Sequence, residues 1–151
     1  IKEWRLGLKG NPVHLVTRPK NPRARKRRLS DAELLAVRGA LGWDGASAPR
    51  NASQWIAWTH ALAIETAMRK GEMLGLTWGR VKLDDAYAEL LDGAEVGGEG
   101  QTKTGMGRLV PLSSKARALF AMLPAGAPGE RVVPVHPGTF DALFRRAVKA
   151  A

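Results

Sequence analysis

The chain has 151 residues, a net charge of +10 and no cysteine, which leaves room for one domain with its own core and excludes disulfides and thiolate metal sites. Its three histidines, His14, His60 and His136, are too scattered to suggest a metal cluster, so metal-free chemistry is expected. No apolar run approaches the ~20 residues of a membrane helix and the N-terminus lacks an apolar secretory core, so the expected protein is soluble and cytoplasmic, with no membrane partner.

The charge is unevenly placed. Residues 1–28 carry ten Lys and Arg against a single acid, Glu3, whereas residues 29–151 carry fourteen against thirteen. Residues 1–17 mix Trp4, Leu6, Leu8, Val13, Leu15 and Val16 with Gly7, Gly10 and Pro12, and read as the end of a preceding domain. A basic linker follows to residue 28, holding Arg18, Lys20, Arg23, Arg25, Lys26, Arg27 and Arg28. Pro19 and Pro22 discourage a helix there and leave an extended arm. Such an arm suits a polyanion, most commonly nucleic acid; a merely solvated linker is the plainer alternative.

Residues 29–151 read as the next domain. Ser30 and Glu33 have capping-box spacing, and Leu34, Val37 and Leu41 recur at helical intervals, with Leu35 widening the stripe and Gly42 ending the helix. Residues 45–53 form a polar loop. Trp55, Trp58 and Leu62 predict a buried helix over 54–65, and a short helix is expected over 72–76, with Trp78 as a core plug behind it. Arg69 then lies at a helix–helix junction. Val81 to Leu83, an Asp84-Asp85 turn and residues 87–91 predict a hairpin. Residues 93–100 form a glycine-rich acidic loop and 108–112 a third strand. Ser113 or Ser114 caps a helix to about residue 123, residues 132–135 are extended, and 139–149 form a final amphipathic helix through Phe140, Leu143, Phe144, Ala147 and Val148. The expected fold is mainly α with a small three-stranded antiparallel sheet.

Two segments carry the chemistry: Thr66-Ala67-Met68-Arg69-Lys70-Gly71-Glu72-Met73-Leu74-Gly75-Leu76-Thr77-Trp78, and Thr102-Lys103-Thr104-Gly105 ahead of Arg108-Leu109-Val110-Pro111-Leu112. In this order they resemble the first half of the catalytic domain of tyrosine recombinases, the phage integrase family. The resemblance covers about residues 28–151, with 10–28 matching the interdomain linker loosely. It implies a site-specific recombinase of a phage or other mobile element, bacterial or phage-encoded and nucleoid-associated. Its partners would be double-stranded DNA and further recombinase subunits. It also implies an N-terminal DNA-gripping domain ending within 1–28 and the N-terminal part of the catalytic domain over 29–151, with the basic arm strapped over the DNA backbone.

Metal-free phosphodiester cleavage needs cations aimed at the non-bridging oxygens, a task suited to the planar, permanently charged arginine. By resemblance Arg69 is the first such arginine and Glu72 the acid that holds this region in place. The bland alternative is an exposed ion pair worth ~0.2–0.5 kcal/mol. The departing sugar oxygen also needs a general acid; by resemblance this is Lys103, whose bland reading is a solvated turn lysine. In the family a tyrosine forms a 3′-phosphotyrosyl link and the lysine protonates the 5′-oxygen, so the resemblance implies that no metal or other cofactor is required.

Some features depart from the pattern. Ala67 stands where many members have glycine, the 93–100 insertion lengthens the loop before Lys103, and no His-x-x-Arg is present. His136 precedes Pro137 and reads as a loop or helix-capping residue. The sole tyrosine, Tyr87, lies in a predicted strand between the two motifs and is a poor candidate for the nucleophile, and most of the five tryptophans read as core. The chain is therefore expected to be a fragment that binds DNA weakly and cuts nothing. The competing readings are a non-catalytic DNA-binding regulator of the same fold and, from the high pI alone, an RNA-binding module.

Overall fold

A computed structural model of the chain describes residues 16–17, 28–91 and 107–151. Helix α1, Asp31–Ala40, opens on the expected capping box: Ser30 Oγ accepts the Glu33 N–H at 3.3 Å and the Glu33 carboxylate accepts the Ser30 N–H at 2.8 Å. Two backbone donors are thereby satisfied at once. The helix gives way at Gly42, whose φ of +69° is the left-handed position that a helix end favours. Val37 and Leu41 are buried, but Leu35, expected in the stripe, is 52% exposed because it lies on the far side of the narrow face that packs inward. Asp44 closes the following loop. Its carboxylate accepts the Ala46 and Ser47 backbone N–H groups at 2.8 and 3.0 Å and the Ser47 hydroxyl, and these bonds hold its pKa down at about 2.

Helix α2, Ala52–Thr66, starts two residues before its apolar spacing indicates, because Asn51 in the polar loop is the N-cap and its side chain accepts the Gln54 N–H at 3.0 Å. This helix is the spine of the core, burying Ile56, Ala57, Trp58, Thr59 and Leu62. Trp58 is wholly enclosed; its Nε1–H donates to the Leu119 carbonyl at 3.0 Å, and Trp55 and Phe120 meet its ring edge-on. That bond removes the penalty of a buried indole donor and fixes α2 against the chain around Leu119. Trp43 is also buried and Trp55 and Trp78 are partly so, as core residues should be, while Trp4 is outside the described residues.

Ala67 ends α2 in the left-handed region, with φ 53° and ψ 21°. The chain turns there and enters helix α3, Lys70–Leu74, through Arg69 as its N-cap. This start is two residues earlier than expected, and α3 buries Glu72, Met73 and Leu74 in succession. A single 3-10 turn, Trp78–Arg80, leads into β1, Val81–Lys82.

With β2, Tyr87–Leu90, and β3, Arg108–Pro111, β1 forms the expected antiparallel sheet in the order β1-β2-β3. Its inner face contributes Ala88, Leu90 and Val110 to the core. The segment at 132–135, expected to be extended, forms no strand: Arg131 bridges Thr77 and the Val132 N–H reaches the Leu76 carbonyl at 2.9 Å, but pairing goes no further. Val132, Val133 and Val135 are nevertheless buried, so burial and not ladder pairing explains that apolar run.

Helix α4, Ser114–Ala121, is capped by Ser113. Helix α5, Pro137–Ala150, is capped by His136, whose Nδ1 accepts the Gly138 N–H at 3.2 Å, with Pro137 at the first helical position. Phe140, Leu143, Phe144 and Ala147 pack inward, whereas Val148 is 51% exposed. His60 on α2 lies against Phe144 of α5, and its burial there lowers its pKa. The architecture is mainly α with a small three-stranded antiparallel sheet. Among the described residues no helix is long and apolar enough to cross a membrane.

A Cβ in the left-handed region costs about 1–2 kcal/mol, and a glycine there gives back about 0.4–1 kcal/mol as unfolded-chain entropy. Ala67→Gly should therefore raise the unfolding free energy by roughly 0.5–1 kcal/mol, read from urea denaturation; a destabilised variant would contradict this account of the turn.

Candidate functional site

Arg69 and Glu72 meet as their three-residue spacing allows, but the pair is not an exposed one. The Glu72 side chain is fully buried while that of Arg69 is 51% exposed. Oε1 of Glu72 accepts Arg69 Nη1 at 3.0 Å, and Oε2 accepts the backbone N–H of Arg69 at 2.8 Å. The second bond is half of a capping box. The reciprocal half is missing because an arginine side chain offers only donors. Glu72 therefore ties down both the backbone and the side chain of the residue that opens α3.

A third bond comes from a residue that sequence reasoning did not single out. Arg108, the first residue of β3, donates from Nη2 to Glu72 Oε2 at 2.9 Å, with its own side chain 44% exposed. Burying a carboxylate costs several kcal/mol unless it is paired and hydrogen-bonded, and here both oxygens are used. Two cations share one anion, so one unit of positive charge is left over, with both guanidinium groups half open to solvent. The signal for Arg108 was visible as a charged residue heading a strand motif close behind Lys103. Its connection to Glu72 depends on sheet register, which places Arg108 opposite Leu90.

Next to Arg69, Lys70 bonds both Asp141 oxygens on α5 at 2.7 and 2.8 Å. The Lys70 hydrogen bond, and then the charges of Lys70 and Arg145, lower the Asp141 pKa. The start of α3 is thus tied to β3 on one side and to α5 on the other. Arg28 is exposed, while Arg18, Lys20, Arg23, Arg25, Lys26, Arg27 and Lys103 lie outside the described residues. Among the described residues no group of three His, Asp or Glu side chains is placed to hold a metal ion.

Tyr87 sits at the opposite end of β2 from Leu90, the partner of Arg108, about 10 Å along the strand. Partial desolvation and the negative charges of Glu89 and Asp85 raise its pKa, the wrong direction for a nucleophile.

If Glu72 anchors this cluster, Glu72→Gln should lower the unfolding free energy by about 2 kcal/mol, because a charge-assisted acceptor is lost and an amide N–H group faces existing donors. Urea denaturation reads the change, and a loss below about 0.5 kcal/mol would match an exposed pair instead.

The chain is 34% identical over 139 residues to the shufflon-specific DNA recombinase of Escherichia coli, an alignment covering 92% of this chain and 29% of that protein. It is 32% identical over 151 residues to a Haemophilus influenzae protein provisionally described as an integrase/recombinase, covering 97% of this chain and 38% of that one. A second Haemophilus influenzae protein with the same description is 26% identical over 153 residues, covering 100% of this chain and 46% of its own length. The chain thus spans less than half the length of these curated relatives. No family model matches the chain, and no solved structure does. Kinship along nearly the whole chain, with the helical domain and small sheet described above, supports a place in the tyrosine recombinase, or integrase, family.

Proposed function

We propose that these residues belong to a site-specific DNA recombinase whose whole form breaks and rejoins DNA through a 3′-phosphotyrosyl intermediate. The observation that carries this reading is Arg69, fixed in backbone and side chain by a buried carboxylate yet half open to solvent. Cations that stabilise charge developing on a phosphate act best when held in place beforehand, so that no reorganisation is needed at the moment of reaction. Arg69 would contact the non-bridging oxygens of the scissile phosphate and Glu72 would hold it there. Lys103 would protonate the departing 5′-oxygen, in keeping with the family pattern. Residues 29–151 would be the N-terminal part of the catalytic domain, and residues 1–28 the end of a DNA-gripping domain with its basic linker.

The arm of Arg18, Lys20, Arg23, Arg25, Lys26, Arg27 and Arg28 would run along the DNA backbone, adding affinity and salt dependence with little sequence choice. Other recombinase subunits would complete the assembly, and a DNA substrate would place it with the bacterial nucleoid. Tyr87, at the other end of β2 from the partner of Arg108 and with its pKa raised, would not be the nucleophile. The 151 residues would then bind DNA without becoming joined to it.

Binding of a fluorescein-labelled duplex tests this. Affinity should fall linearly in log K against log salt, and replacing Arg23, Arg25, Lys26 and Arg27 together by alanine should flatten the slope by about 3–4. No adduct resistant to SDS should form. Preference for structured RNA over duplex DNA would overturn the DNA reading. A covalent adduct would overturn the exclusion of Tyr87.

A further inference from the structure

Helices α1 and α2 both pack on α5, and a cleft of about 280 Å³ lies between them. Its walls are Leu34, Leu35, Ala57, Ala61 and Ile64, while Asp31, Arg38 and His60 supply its polar groups. Leu35 and Ile64 are 52% and 53% exposed, so two large apolar side chains stand uncovered in one hollow. An interhelical cleft that is mainly apolar, with a few converging polar groups, is the usual form of a small-molecule site. We propose that this cleft binds a small apolar carboxylate, its anionic head on Arg38 and its hydrocarbon body over Leu35 and Ile64. The site is independent of the DNA reading, since none of its residues belongs to the Glu72 cluster or the basic arm.

Arg38 is half-buried, yet its guanidinium makes no ion pair or hydrogen bond among the described residues. Its position is set by Gly45: a Cβ there would lie 2.8 Å from Arg38 Nη1, so the guanidinium rests on the backbone of a residue whose φ of +82° suits glycine. Held in place without an anion, it keeps its fork of N–H donors for one, and a carboxylate matches that fork with two oxygens. His60 lines the same cleft from α2, with its ring 5.4 Å from Phe144 of α5. Burial lowers its pKa, so near pH 7 it is a neutral imidazole with one N–H to donate. The opposing charge is Asp31, exposed on α1 two turns before Arg38, about 10 Å away along the helix axis. That distance leaves room for one compact carboxylate, and the acid discriminates against a polyanion such as DNA.

The plainer role for Arg38, in the last turn of α1, is to complement the negative end of that helix. Ligand titrations followed by NMR separate the two. The isotope-labelled 151-residue chain is titrated with octanoate, with octanol, which has the tail without the charge, and with acetate, which has the charge without the tail. Octanoate should give saturable shifts of the Leu35 and Ile64 methyls and of Arg38 Nε–H, at an affinity at least about tenfold above that of octanol or acetate, as a charge-assisted hydrogen bond provides. Arg38→Gln should remove the preference for octanoate over octanol, and Ile64→Ser should weaken both ligands. Equal affinity for octanoate and octanol overturns the proposal, as does an octanoate affinity unchanged in Arg38→Gln. No saturable shift with octanoate, or shifts confined to Arg69 and Arg108, overturns it as well. If far-UV circular dichroism shows that Arg38→Gln does not fold, the wild-type comparison of the three ligands decides together with Ile64→Ser, a substitution at an exposed position.

Discussion

A carboxylate taken fully out of water is the constraint around which this domain is arranged. The Glu72 side chain has no solvent contact and accepts from the Arg69 backbone, the Arg69 guanidinium and the Arg108 guanidinium. An ion so placed is stable only when its partners are held in position. The bonds therefore act in both directions: the two arginines make the burial tolerable, and the burial fixes the arginines. A lysine at either place would be a single flexible point charge without arginine's fork of donors.

The rest of the fold serves to bring these three residues together. Trp58, bonded to the Leu119 carbonyl, locks α2 into the core, and the left-handed Ala67 turns the chain so that Arg69 opens α3 two residues later. The sheet brings Arg108 in from the opposite direction through its pairing with Leu90. Lys70, bonded to Asp141, holds α5 against the same junction. Elements remote from one another in the chain thus converge on one point, the buried Glu72 carboxylate.

Much of this was legible from local patterns. Ser30 with Glu33 marked the start of α1, the spacing of Trp55, Trp58 and Leu62 marked α2, and Arg69 was placed at a helix junction. The hairpin and the third strand were equally plain, and His136 was narrowed to a loop or capping residue, because each depends on residues close in sequence. Long-range consequences were not. An acid three residues after an arginine looks the same whether exposed or buried, and the burial of Glu72 follows only from the neighbouring Met73 and Leu74 entering the core. Arg108 becomes its partner only through sheet register. Leu35 and Val148 are exposed because a helical stripe is wider in sequence than the face that packs.

One buried carboxylate immobilises two guanidinium groups together, and side-chain arginine NMR addresses this most directly. In the wild-type chain, Arg69 and Arg108 should give resolved Nη–H signals from hindered guanidinium rotation, and both should collapse to the averaged line of a free arginine in Glu72→Gln. Averaged lines for both residues in the wild type, or a change confined to one of them on substitution, would contradict it.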